Sequence, residues 1–138
     1  MAKLHLEFVT PERRIAHDEV DEVQLPLADG YAGILPGHAP MLAAIRTGQM
    51  YYRKGGETHY GFVSGGFVEV TADRVSVLAR IAERGEDIDL ERAEAAKRRA
   101  QERMGKPVME IDAERARIAL LRAISRLDAA SRSGRLRR

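Results

Sequence analysis

The chain of 138 residues contains no cysteine and no tryptophan, and aromatic residues make up only 5% of it. Without thiols, disulfides, thiolate catalysis and cysteine-based zinc sites are excluded. That composition fits a reducing compartment. Scarce aromatics argue against a nucleic-acid binder that works by base stacking. No apolar run approaches the ~18 residues of a membrane span. Met1–Thr10 alternates in polarity where a signal peptide would carry an apolar block. The expectation is a soluble protein, or one held at a membrane through a partner.

Chemical motifs are equally sparse. There is no GxxxxGK[ST] phosphate loop, so hydrolysis of ATP by this chain is not expected. No GxSxG elbow surrounds Ser64, and the four histidines, His5, His17, His38 and His59, show no HExxH or other metal spacing. No catalytic residue and no metal ligand is assigned, and no catalytic cofactor is expected.

What the chain does have is charge, 32% of its residues, unevenly spread. Residues 1–84 hold nine Lys and Arg against eleven Asp and Glu, whereas residues 85–138 hold fourteen against ten. Such asymmetry points to two units with different partners.

The two units also differ in period. Leu4, Leu6 and Phe8 alternate with Lys3, His5 and Glu7; Val23, Leu25 and Leu27 alternate with Gln24, Pro26 and Ala28. Val75, Val77, Ala79 and Ile81 alternate with Arg74, Ser76, Leu78 and Arg80. Period two sends one set inward and the other outward, as in strands. Asp29-Gly30, Pro36-Gly37, Thr47-Gly48, Gly55-Gly56 and Gly65-Gly66 punctuate these runs. Residues 1–84 therefore read as a β-sandwich or barrel.

After Gly85 the period lengthens. Asp89–Met104 lacks Gly and Pro and predicts a helix with Ala93, Ala96, Ala100 and Met104 on one stripe. Gly105, Lys106 and Pro107 break it. A second helix is predicted from Asp112, as N-cap, to about Ser131, with Ala116, Leu120, Ala123, Ile124, Leu127 and Ala130 apolar. Residues 85–138 thus form an antiparallel two-helix hairpin, and the class is α+β. An alanine stripe buries little area, so the hairpin is expected to be marginal and able to open. The tail from Ser131 to Arg138 is basic and expected to fray.

Arginines repeat on both helices: Arg92, Arg99 and Arg103 on the first, Arg115, Arg122 and Arg126 on the second, each set spaced by seven and four. Folded together, the two faces would converge on a polyanion, whose oxygens suit guanidinium forks. A solvated face paired to Glu residues is the plainer alternative. A basic nucleic-acid-binding protein is the rival function. The even mixture of Glu with Arg on the helices argues against it.

Three phrases carry a resemblance: Gly33-Ile-Leu-Pro-Gly-His-Ala-Pro40, Ser64-Gly-Gly-Phe-Val-Glu-Val70 and Ala82-Glu-Arg-Gly-Glu-Asp-Ile-Asp89. With Phe8-Val-Thr-Pro11, they occur in the order and spacing of the ATP synthase epsilon family, which the chain resembles over nearly its whole length. The resemblance implies a ten-stranded N-terminal β-sandwich, residues 1–84, and a C-terminal helical hairpin, residues 85–138. It implies a central-stalk subunit whose sandwich binds the gamma subunit and the c-ring. The face around Asp29, Gly30, Tyr31, His38 and Met41 would make rotor contact. It also implies an arm that extends into the alpha/beta hexamer and blocks ATP hydrolysis there. Arg115, Arg122 and Arg126 would then meet an acidic segment of beta. Some bacterial members bind ATP through Ile/Leu-Asp-x-x-Arg-Ala, which Ile88-Asp89-Leu90-Glu91-Arg92-Ala93 matches. With Glu83, Arg99, Arg122 and Arg126 from the family's wider site, these residues imply ATP as a regulatory ligand. No nucleic acid is expected as partner, and the place is peripheral, on the cytoplasmic face of the cell membrane.

Overall fold

The structure, a computed structural model, describes residues 2–105 and 110–134. Eight strands come first: β1 Leu4–Val9, β2 Arg14–Val20, β3 Glu22–Leu27, β4 Gly30–Ile34, β5 Met41–Ala44, β6 Gly48–Lys54, β7 Glu57–Val70 and β8 Arg74–Arg84. A 3₁₀ turn, Gly85–Asp87, leads to α1, Leu90–Gly105, and α2, Glu110–Arg132. The expected β-sandwich with a helical pair is present. Met1, the Lys106–Pro107 break and the tail residues Arg135–Arg138 lie outside the described residues.

The strands follow the order β2-β1-β8-β7-β6-β3-β4, with β5 added on β7. β1 runs parallel to β8, and the other pairs are antiparallel. β7 is the hinge of the sandwich. Its first half pairs with β6 through Glu57–Val63, and its second half pairs with β5 through Phe67–Val70. β8 follows it along nearly its full length. This explains the difference between the ten strands expected and the eight observed: divided at mid-length, β7 and β8 would each count twice. Gly65-Gly66, read from the sequence as a tight turn or a bulge, sits inside β7 with the register to β8 unshifted across it. Both glycines have positive φ, 80° and 111°. A Cβ on Gly66 would collide with the carbonyl oxygen of Leu78, so the absent side chain is what lets β7 pass so close to β8.

Alternation holds along most of the runs read, with Ile81 the exception: it packs on the arm's cluster while Ala82 takes the inward place. Leu4, Leu6, Phe8, Val23, Leu25, Val75 and Val77 are all buried in one core. Tight turns at Ala28-Asp29 and Gly55-Gly56 join the β3–β4 and β6–β7 pairs. Asp21 stitches the end of β2 to the second of these, accepting from the Gly55 N–H at 2.8 Å and pairing with Lys3. At the other end, Arg84 donates from Nε and Nη2 to the Ile15 carbonyl at 2.9 and 2.5 Å, tying β8 to β2 just before the arm begins.

The helices pack through alanine. Ala93 and Ala100 on α1 and Ala116, Ala123 and Ala130 on α2 are buried, at intervals of seven. A small residue every second turn brings the helix axes close. Two members of the predicted faces do not pack as expected: Met104 and Ile124 are exposed, at 39% and 45%, because the narrow alanine seam leaves flanking positions uncovered, whereas Leu127 packs against the apolar cluster of the arm. Asp112 lies within the first turn of α2, not at its cap. A second apolar cluster fastens the arm to the sandwich, with Phe62 from β7 against Ile88, Ala93, Ala129 and Ala130. All of these are burial contacts of small or single side chains, so the arm holds far less apolar area than the sandwich core.

Candidate functional site

Where the arm folds on the sandwich, a cavity of about 490 Å³ opens to solvent. β8 supplies Glu83, the 3₁₀ turn Asp87, and the start of the arm Asp89; α1 supplies Arg92, Ala93, Ala96 and Arg99, and α2 supplies Arg126. Local chemistry explains each placement. Asp89 caps α1, accepting the Arg92 N–H at 3.1 Å while its carbonyl takes that of Ala93 at 3.0 Å. With the cap fixed, Arg92 and Arg99 are two turns apart on one face. Ala93 and Ala96 between them leave the space that larger side chains would fill.

Arg126 reaches the cavity from the other helix. Its Nε donates to Glu83 Oε1 at 2.5 Å, and its guanidinium carbon lies 4.4 Å from the centre of the Phe62 ring. Among the described residues, neither Arg92 nor Arg99 forms an ion pair. Two cationic forks therefore face an open volume with one neutralised arginine beside them. That arrangement suits a multiply charged anion, because each fork presents paired donors to phosphate oxygens. Glu83 and Asp89 add acceptors for donor groups on the rest of a ligand.

Of the eight residues expected to meet ATP, six line this cavity: Glu83, Asp89, Arg92, Ala93, Arg99 and Arg126. Ile88 is fully buried in the cluster around Phe62 and acts as packing. Arg122 stands off the cavity wall, donating from Nε to Ser64 Oγ at 3.3 Å. Asp87 and Ala96 were missed. Asp87 precedes the helix start, and helical spacing placed Ala96 on the stripe without saying that it bordered a cavity.

Arg115 is exposed, whereas its neighbour Arg117 is engaged with Glu114 at 2.5 Å. The three arginines expected to meet an acidic partner are thus in different situations, with Arg122 and Arg126 turned onto the sandwich.

The residues expected at the rotor lie on two segments. Asp29 lies in the β3–β4 turn and Gly30 and Tyr31 open β4, while His38 lies between β4 and β5 and Met41 opens β5. The Tyr31 hydroxyl lies against Gly48, where a Cβ would come within 2.8 Å of it. Burial of that end pushes its pKa up. His38 Nδ1 bonds the Ala39 carbonyl at 2.7 Å, and Met41 packs on the sandwich core. Nearby, an apolar row that sequence reasoning missed crosses four strands: Ala44 opposite Phe67, Phe67 opposite Leu78, and Leu78 opposite Val9. Phe67 and Leu78 are 57% and 56% exposed, and Leu42 beside them is 72% exposed. The available signal was Leu78 at an outward position among Arg74, Ser76 and Arg80.

The histidines, scattered in sequence, partly meet in space. His5 Nε2 and His17 Nε2 are 2.8 Å apart, and Arg14 Nη1 lies 3.2 Å from His17 Nδ1. A guanidinium only donates, so Arg14 selects the tautomer in which His17 accepts at Nδ1 and offers its Nε2–H to His5. Among the described residues no three metal-ligating side chains converge.

The fold and site define a small β-sandwich with a helical arm, with a cavity lined by arginines and carboxylates where the two meet and exposed apolar side chains on an outer sheet face. Comparison with known proteins agrees on this two-part architecture. Residues 3–85 match the family described as ATP synthase, Delta/Epsilon chain, beta-sandwich domain, and residues 86–131 match its long alpha-helix domain. The ATP synthase epsilon chain of Nitratidesulfovibrio vulgaris is 48% identical over 124 residues, covering 90% of this chain and 92% of that one. That of Desulforamulus reducens is 49% identical over 131 residues, covering 94% and 99%. A chain in the structure of Euglena gracilis mitochondrial ATP synthase, OSCP/F1/c-ring, superposes with a TM-score of 0.81 at 25% identity, covering 94% of this chain and 82% of that one. The chain belongs to the ATP synthase delta/epsilon chain family.

Proposed function

We propose that this chain is the epsilon subunit of the ATP synthase central stalk, a structural and regulatory subunit whose arm position responds to ATP. The observation that carries the regulatory part is the cavity in which Arg92 and Arg99 of α1, Arg126 of α2 and Glu83 of the sandwich face one volume. Three elements contribute, so the site exists only while the arm is folded. A ligand bound there stabilises the folded arm by its differential affinity for that state. At ten times its dissociation constant the shift is about 1.4 kcal/mol, or about tenfold in population. Folded, the arm is withdrawn; extended, it enters the alpha/beta hexamer, where Arg115, Arg122 and Arg126 meet an acidic segment of beta and ATP hydrolysis stops.

The sandwich supplies the rotor contacts. Its exposed apolar row of Leu42, Phe67 and Leu78 is of the kind that marks a protein interface. With Asp29, Gly30 and Tyr31 at the start of β4, and with His38 and Met41, it offers surfaces for gamma and the c-ring. Among the described residues no helix is long and apolar enough to cross a membrane. Placement at the cytoplasmic face of the cell membrane then follows from the partners. Calorimetry on the isolated subunit tests the regulatory reading: ATP should bind, and an absence of heat at millimolar ATP would sink it.

A further inference from the structure

One strand holds both arginines that α2 turns toward the sandwich. Arg126 lies over the Phe62 ring at 4.4 Å, and Phe62 is fully buried. Arg122 donates to Ser64 Oγ at 3.3 Å. Ser64, only 4% exposed, is itself backed by Thr47, whose Oγ1 is 2.7 Å from Ser64 Oγ. Phe62 and Ser64 are two residues apart on β7 and so share a face, separated by about 6.6 Å. Arg122 and Arg126 are four residues apart on α2, separated by about 6 Å along the helix. The two spacings match, so β7 acts as a ruler against which the arginine pair is set.

The contacts also use one edge of each guanidinium. Both arginines engage the sandwich through Nε. The terminal nitrogens carry four of the five N–H donors, and among the described residues these make no hydrogen bond within the chain. An arginine fixed through Nε and free at its fork is preorganised for an anion, because its ordering is complete before the ligand arrives.

We propose that Phe62 and Ser64, the latter backed by Thr47, are positioning residues that set Arg126 at the cavity, and Arg122 one helical turn back outside its wall, for the phosphates of the regulatory nucleotide. This rests on the ATP reading above. It makes nucleotide affinity depend on the arm lying on β7, and not only on the two helices lying together. Neither residue belongs to the Ile88–Ala93 motif, and neither lines the cavity.

The test uses the full-length subunit, with calorimetry against ATP and nuclear magnetic resonance of the arginine Nε–Hε groups. In the wild type the Arg126 Hε resonance should be displaced by the Phe62 ring current, and Phe62→Leu should remove that displacement while keeping apolar bulk. Phe62→Leu should weaken ATP binding about fivefold, the effect of one partly desolvated cation–π contact. Ser64→Ala should weaken it about threefold and leave the unfolding midpoint of the free subunit close to that of wild type, and Ser64→Thr, which keeps the hydroxyl, should restore it. The proposal is overturned if the wild type binds ATP and both variants bind within about twofold of it. It is also overturned if Ser64→Thr fails to restore what Ser64→Ala loses. A wild type that binds no ATP removes the functional reading and this proposal with it.

Discussion

Gly85 and Ala129 meet with no room between them: a Cβ on Gly85 would lie 2.8 Å from the Ala129 carbonyl oxygen and 2.9 Å from Ser133 Cβ. Gly85 opens the 3₁₀ turn between sandwich and arm, and Ala129 lies near the end of α2. The missing side chain is therefore the seat of the arm. Gly85→Ala should push the end of α2 off the turn at a strain of about 1–3 kcal/mol. Hydrogen exchange should rise across residues 123–133 and stay unchanged in β1 and β3. Unaltered exchange in α2 would show that the seat adapts.

Arg126→Ala and Arg92→Ala should each weaken ATP binding by about 1–3 kcal/mol, the range for a hydrogen bond to a charged group. Arg115→Ala is the contrast. It is exposed and away from the cavity, so ATP affinity should stay the same while inhibition of the assembled enzyme becomes weaker and less sensitive to salt. Equal ATP binding by all three variants would remove the cavity from consideration.

Deleting residues 112–138 should raise ATP hydrolysis by the assembled complex without releasing the subunit, since most of α2 goes and the sandwich stays. The assay is best run at low ATP, where the extended arm is favoured. Hydrolysis equal to that of the intact enzyme would count against an inhibitory arm.

A fragment of residues 1–84 should fold and bind gamma. Every buried member of its main core falls between Leu4 and Ala82. Removal of the arm uncovers Phe62, so the fragment should be less soluble than the full chain. A folded fragment that failed to retain gamma in a pull-down would place part of that interface on the arm.

Acid should weaken the sandwich at the β2–β3 corner. The Lys3 ammonium, and after it the Gly55 N–H, hold the Asp21 carboxyl below its ordinary range. A depressed folded pKa stabilises the fold above the unfolded value, and that contribution disappears as pH falls through the folded value. Asp21→Asn should therefore lower the unfolding midpoint at neutral pH, and its difference from wild type should shrink as pH falls below the ordinary carboxylate range. A constant difference across that range would mean that the charge is not responsible.

Much of the fold was legible because its strands are one-sided. Leu4, Leu6 and Phe8 needed only period two to be placed inward, and the change of period after Gly85 marked where strands end. Gly65-Gly66 was read as a turn or bulge because a glycine pair carries only that local signal. Its position inside β7 depends on how close β8 passes, which is a long-range fact. Ile124 was misread for a related reason, since helical spacing defines a face but not how wide a partner covers it. In the candidate site, Arg92, Arg99 and Arg126 were legible as faces of two helices. Arg122 was assigned with them, but its Ser64 contact links positions 58 apart in the chain.

The sequence by itself determined the two units, their periods, the absence of thiol chemistry and the arginine spacing, because each is a property of residue type and local repeat. Only the tertiary structure decided that Glu83 pairs with Arg126, that Gly85 seats α2, and that Phe67 and Leu78 join in one exposed row. Those relations depend on strand register and on the depth to which small side chains let elements approach. Short-range pattern carries no information on either.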